Sequence, residues 1–187
     1  IRGGPGTGKS VIAVNLLAEL SRLGVNVQHA TGSKAFTSTL RKRVGPRAGA
    51  QFRYFNSYSR ADDTLDVLIC DEAHRIRASS VNRFTPKASR TDLPQVEELI
   101  RAARTTVFFI DDLQIVRPGE MGSTDLIRAA TARMGVPLVE HELETQFRCG
   151  GSDAFVGWVE NLLDLRRNPF ALWDSNEEFA FDVLDSP

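Results

Sequence analysis

Gly3-Gly4-Pro5-Gly6-Thr7-Gly8-Lys9-Ser10 is the stretch on which the fold turns. It fits the pattern G-x-x-x-x-G-K-[ST] at every fixed position. Its glycines let successive backbone N–H groups turn inward around phosphate oxygens, and the positive end of a following helix reinforces the field there. Lys9 can reach the β- and γ-phosphates of a nucleotide, and the Ser10 hydroxyl can complete a Mg2+ shell. The nucleotide-binding candidates are therefore Gly3, Gly4, Pro5, Gly6, Thr7, Gly8, Lys9, Ser10 and Val11. A dinucleotide-binding G-x-G-x-x-G reading fails, because Lys9 stands where the last glycine belongs.

The flanks supply the context this loop needs. Ile1-Arg2 reads as the last step of a strand entering the glycines, which implies that the natural chain extends upstream. From Val11 to Leu23 the apolar residues Ile12, Leu16, Leu17 and Leu20 keep a helical spacing, and Gly24 suits a helix C-terminus. Further on, the pattern predicts strands over 25–30, 52–55, 65–70, 105–110 and 136–143, and helices over 34–44, 94–104, 123–134 and 152–166. In the 94–104 helix, Glu97 and Glu98 come early and Arg101 and Arg104 late, matching the helix dipole. Residues 75–93 are polar and basic without periodicity and read as a mobile loop. Alternating strands and helices give an α/β class with a mostly parallel sheet covered on both faces.

A second element must supply acid. Leu65–Cys70 is a near-continuous apolar run, as in a strand buried on both faces, and it ends in Asp71-Glu72. Asp71 is the metal candidate, holding Mg2+ largely through water, with Ser10 as the other ligand. Glu72 is placed to polarise an attacking water. Consecutive strand residues point in different directions, which separates the two roles. Small-molecule kinases usually lack such a glutamate, so the pair favours ATP hydrolysis.

Bulk properties bound the rest. A chain of 187 residues accommodates one α/β domain and part of another. With 42% hydrophobic and 25% charged residues, the composition is that of a globular protein. No apolar run approaches the roughly 20 residues that span a membrane. The two cysteines, Cys70 and Cys149, suggest neither a disulfide framework nor a metal cluster, and a cytoplasmic setting is expected. Charge is uneven: residues 1–60 carry ten Lys/Arg against Glu19 alone, whereas 61–187 carry thirteen basic and 23 acidic residues. Such asymmetry can mark an anionic partner.

Asp71-Glu72-Ala73-His74 is a DEAH-type box, and with it the chain resembles helicase-like ATPases. Phe108-Phe109-Ile110-Asp111-Asp112-Leu113-Gln114 is similar to motif III of superfamily 1 helicases, and Leu143-Glu144-Thr145-Gln146-Phe147-Arg148 to their motif IV. The combination with Gln-Phe-Arg-Cys-x-Gly-Ser-Asp and Trp158 looks most like an ATP/GTP-binding family known as domain of unknown function 2075. Relatives of that family include the helicase-like portion of Schlafen proteins.

The resemblance implies a RecA-like P-loop fold of three α/β/α layers, with Gln114 sensing the γ-phosphate or orienting the water and Arg148 acting as an arginine finger. Residues 1–143 would form the first motor domain and 144–187 the start of a second domain or a C-terminal extension. No candidate for the late superfamily 1 motifs follows Arg148. By the same resemblance Thr31, Ser33 and Lys34 would touch single-stranded DNA or RNA. Arg41, Lys42, Arg43, Arg47, Arg53 and Arg60 lie near them, interleaved with Phe52, Tyr54, Phe55 and Tyr58, and the 75–93 loop adds further cations. Basic side chains track phosphates and aromatic ones can stack on bases. Two other readings stay open: an AAA-type ATPase acting on protein, and a nucleotide-gated module that does not translocate.

An arginine finger is worth on the order of 10³-fold or more in rate. Arg148→Ala is expected to slow turnover while leaving nucleotide affinity near normal, read by steady-state hydrolysis beside nucleotide titration. Normal turnover in that variant excludes the finger role.

Overall fold

A computed structural model describes residues 1–60, 64–81, 85–87, 90–114, 117–145 and 153–165. Chain order runs β1 (Arg2–Gly3), α1 (Lys9–Arg22), β2 (Val27–Thr31), α2 (Lys34–Gly49), β3 (Phe52–Tyr54) and β4 (Leu65–Asp71). It continues with α3 (Gln95–Arg101), β5 (Ala103–Phe108), α4 (Thr124–Met134), β6 (Glu142–Leu143) and α5 (Asp153–Leu162).

Among the described residues every pairing between the named strands is parallel. Four strands lie in the order β3-β2-β4-β5, and β1 pairs with β6. The two groups meet just past β5, where Ile110 donates to the Ile1 carbonyl (3.1 Å) and Gly3 donates to the Ile110 carbonyl (3.2 Å). The continuous order is thus β3-β2-β4-β5-β1-β6, with the glycine-loop strand separated from the acidic strand by β5.

Period-two alternation decides which face each side chain covers. On one face Leu68 and Cys70 of β4, with Phe108 and Ile110, pack with Val96, Leu99 and Ile100 of α3 and Ile127 and Ala130 of α4. On the other, Ile69, Phe109 and Val27 pack with Ala13 and Leu17 of α1. Burying each such Leu or Ile side chain is worth about 1.5–3 kcal/mol, so both helical layers are needed to hold the sheet. The result is the three-layer α/β arrangement of a RecA-like P-loop domain. Cys70 is a packing residue: burial pushes its thiol well above the ordinary range.

Local rules explain the element ends. Helix α1 stops with Gly24 N–H on the Ser21 carbonyl (3.1 Å) and Val25 N–H on the Leu20 carbonyl (3.0 Å), the paired bonds of a Schellman motif. Ser123 caps α4, its hydroxyl accepting from the Leu126 N–H at 3.1 Å. Helix α2 breaks at Gly45, then resumes from Pro46 to Gly49, beyond the expected end at Val44. Two expectations need correction. The 94–104 helix ends at Arg101, because Ala103 already pairs with Leu65 in the sheet; Arg104 is a strand residue and does not serve the helix dipole. The 136–143 strand shrinks to Glu142–Leu143, because β1 offers only Arg2 and Gly3 as partners. The described parts of 75–93 are tied down: Arg77 N–H donates to Gln95 Oε1 at 2.9 Å, and the Ser80 and Thr91 hydroxyls donate to the buried Glu98 carboxylate.

The segment after β5 also locks the turn after β4. Met121 donates to the Ile76 carbonyl (2.8 Å) and Gly122 to the His74 carbonyl (3.2 Å). A Cβ on Gly122 would stand 1.9 Å from the Ala73 carbonyl oxygen, which is backbone and cannot swing away. Gly122→Ala is therefore expected to cost about 1–3 kcal/mol, measured as a lower urea midpoint. An unchanged midpoint would contradict this packing.

Candidate functional site

Because all strands run parallel, the C-terminal ends of β1, β4 and β5 open at one edge of the sheet, where ligands bind in such folds. The glycine loop leaves β1 there. Gly6 (φ 84°) and Gly8 (φ 82°) take left-handed backbone that disfavours any side chain, and Lys9 follows as the first residue of α1. Gly3 has no room either: a Cβ would lie 2.4 Å from Thr7 Oγ1. Thr7 Oγ1 in turn donates to the Gly4 carbonyl at 2.9 Å. Gly4 and Pro5 complete the turn, Ser10 is half-buried, and Val11 faces out at 66% exposure.

Lys9 is only 9% exposed, so its ammonium needs internal acceptors. It finds three, matching its three protons. Nζ donates to the carbonyls of Gly3 (2.6 Å) and Gly4 (2.7 Å) and lies 3.5 Å from Asp111 Oδ2. The Asp111 carboxylate is 3% exposed and also accepts from the Leu113 N–H. Sequence reasoning had not assigned Asp111 to Lys9. The signal was there in principle, since Asp111 ends the strand adjoining the loop.

Asp71, at the end of β4, is 1% exposed. Oδ1 accepts from the Glu72 N–H at 2.9 Å, but Oδ2 is buried without a hydrogen-bond partner. The nearest cationic candidate is His29 Nε2, at 3.7 Å, on the neighbouring strand β2. An orphaned carboxylate oxygen is costly unless a cation completes it. No group of three His, Cys, Asp or Glu that could hold a metal occurs among the described residues. Mg2+ needs no such cage, since it uses one or two protein oxygens with substrate phosphates. Asp71 and Ser10 fit that donor set.

Glu72 has φ 56° and ψ 45°, a left-handed conformation unusual for a non-glycine residue. It is held by its surroundings: its own N–H bonds Asp71, and the next N–H, of Ala73, donates to the Phe109 carbonyl at 2.9 Å. The turn swings its carboxylate away from Asp71 toward His74 Nε2 (3.3 Å) and Arg75 Nε (3.2 Å). His74 above all, and Arg75 after it, hold the carboxyl down to about 2 against the opposing effect of burial. Glu72 is thus ionised and clamped. The box Asp71-Glu72-Ala73-His74-Arg75 gave its acids to the sequence reading, but not this clamp, which the left-handed turn creates.

The other expected residues divide. Gln114 is half-buried, three residues past Asp111, with its N–H donating to the Asp111 carbonyl at 3.2 Å. Arg148, and the Gln146-Phe147 before it, lie outside the described residues. Thr31 is fully buried, its hydroxyl accepting from the Ser33 N–H at 3.1 Å, and the Ser33 hydroxyl caps α2. Only Lys34 of the three presents an exposed side chain. Phe52, Phe55 and Tyr58 are core residues, which removes them as stacking platforms; Tyr54 is half-buried beneath the Arg41 guanidinium, 5.3 Å from its ring centroid. Arg41 is further tied to the Phe52 carbonyl, whereas Lys42, Arg43, Arg47, Arg53 and Arg60 are exposed.

The chain belongs to the Schlafen group 3 DNA/RNA helicase domain family, whose profile matches residues 1–187. No curated protein matches the sequence. Among solved structures it is similar to Bacteroides Pif1 bound to ssDNA, with 14% identity and a TM-score of 0.46 over 86% of this chain and 41% of that one. A Pyrococcus furiosus Hef helicase domain gives 14% identity and a TM-score of 0.41 over 80% and 35%. AMPPCP-bound DnaA from Aquifex aeolicus gives 16% identity and a TM-score of 0.36 over 90% and 46%. The chain therefore spans less than half of each of these proteins. Among the described residues no helix is long and apolar enough to cross a membrane.

The Glu72 clamp has a pH signature. Its folded-state carboxyl, at about 2, ionises below the ordinary value of about 4.3 for a free glutamate. The contacts that hold the Glu72 carboxylate therefore stabilise the fold above roughly pH 4.3, and this contribution is lost as pH falls through about 2. Wild type should exceed Glu72→Gln in urea midpoint at pH 7, with the gap narrowing as pH drops below 4. A gap that is constant across this range would contradict the clamp.

Proposed function

We propose that this helicase-family domain binds ATP with Mg2+, hydrolyses it, and couples hydrolysis to a single strand of nucleic acid. The observation that carries the reading is the meeting of three features at one sheet edge. They are the Lys9 loop, the unpartnered buried oxygen of Asp71, and Glu72 one residue further along.

In this reading Lys9 exchanges the Gly3 and Gly4 carbonyls for phosphate oxygens, while Asp111 keeps the ammonium aimed at the loop. Loop N–H groups and the start of α1 hold the triphosphate. Ser10 and Asp71 hold the metal, which when bound neutralises charge on the transferring phosphoryl group. Glu72 orients the water, and its carboxylate becomes a stronger base as the hold of His74 and, after it, Arg75 loosens. Gln114 would sense the γ-phosphate or orient the water, and Arg148 would supply the finger. Residues from 144 onward begin a second lobe that brings Arg148 to the nucleotide. The strand would run past Lys34 and the exposed cations that follow it, Lys42, Arg43 and Arg47.

Steady-state ATP hydrolysis with and without single-stranded DNA and RNA tests this proposal. Stimulation by a strand is expected, together with retained nucleotide binding and at least about 10²-fold slower turnover in Glu72→Gln. Undiminished hydrolysis in that variant would refute the assigned water-orienting group.

A further inference from the structure

A polar cavity of about 510 Å³ opens beside the clamp, between the ends of β2 and β3 and the turn after β4. Four cationic side chains line it (Lys34, Arg75, Arg77 and Arg117), against the single carboxylate of Glu120. That volume is within the range of small-ligand sites. Lys34 is the first residue of α2, where a cation opposes the helix dipole and an anion would be favoured.

Arg75 belongs to both places. Its Nε lies 3.2 Å from Glu72 Oε2 and its Nη1 3.6 Å from Glu120 Oε1, with the side chain 21% exposed toward the cavity. Its stem packs on the backbone of Gly32, where an added Cβ would come within 2.6 Å of Arg75 Cβ. The other partner of Glu72 cannot be drawn off in the same way. His74 is 1% exposed, and its carbonyl is bonded to Gly122.

We propose that Arg75 is a gate: a phosphodiester of a single strand entering this cavity draws the guanidinium from Glu72 Oε2 and leaves that carboxylate to His74 alone as it orients the attacking water. A phosphate offers a guanidinium two parallel N–H···O bonds, whereas Glu72 takes one through Nε. Lys34, Arg77 and Arg117 supply the positive field that brings the phosphate in and remains to hold it. Without a strand, Glu72 keeps Arg75 as well as His74 and hydrolysis idles. The gate rests on the ATPase reading for its consequence but not for its binding step.

Binding can therefore be tested apart from turnover. Affinity for labelled oligo(dT) and oligo(U) is measured without nucleotide for wild type, Glu72→Gln, Arg75→Gln and the double variant. If Glu72 and the strand compete for Arg75, Glu72→Gln should bind roughly fivefold or more tightly, and this gain should vanish in the Arg75→Gln background. An equal gain in both backgrounds reports only the removal of a distant negative charge and overturns the gate, as does the absence of any gain. In hydrolysis, Arg75→Gln should raise the strand-free rate and shrink the stimulation by a strand. A fall in the strand-free rate of that variant would also overturn the gate. Coupled binding without turnover in wild type would sustain the gate and sink the ATPase reading. Turnover without coupling would do the reverse.

Discussion

The hydrogen bonds that Ile110 exchanges with Ile1 and Gly3 are the constraint on which the site depends. They insert β5 between the glycine-loop strand and the acidic strand. Parallel pairing then fixes where each strand ends, so that Lys9, Asp111 and Asp71 share one edge. Lys9 is nearly buried and would be costly to desolvate alone; Asp111 and two loop carbonyls make its position affordable. A slip of one residue between β1 and the end of β5 would carry the glycine loop, and Lys9 with it, out of register with Asp111.

Tension concentrates on the acidic side of the edge. Asp71 has a buried oxygen with no hydrogen-bond partner, and Glu72 adopts left-handed backbone with its carboxylate held by His74 and Arg75. Such features cluster where structure serves chemistry rather than stability. A cation would relieve the first and a competing anion the second.

The glycine loop was legible because its chemistry is local: spacing alone places the backbone N–H groups, Lys9 and Ser10. Asp71-Glu72 was legible for a similar reason, closing an apolar strand. The Lys9–Asp111 pair was not, since it joins residues 102 apart through a strand order that periodicity does not specify. Nor was the Arg75 clamp, which depends on a left-handed residue that nothing in the composition of Asp71-Glu72-Ala73-His74-Arg75 demands. The aromatic residues near β3 misled in the opposite direction. Phe52, Phe55 and Tyr58 lie amid arginines in the sequence, yet the sheet and its covering helices bury them. Helix ends failed where pairing overrode propensity, as at Arg104, whose helical surroundings yield to the β4–β5 ladder.

The central claim is that Lys9 and its loop form a nucleotide site, and equilibrium titration with a fluorescent ATP analogue tests it most directly. Wild type should bind saturably and more tightly with Mg2+ present, whereas Lys9→Ala should lose most of that affinity. Equal binding by the two proteins would contradict the account at its base.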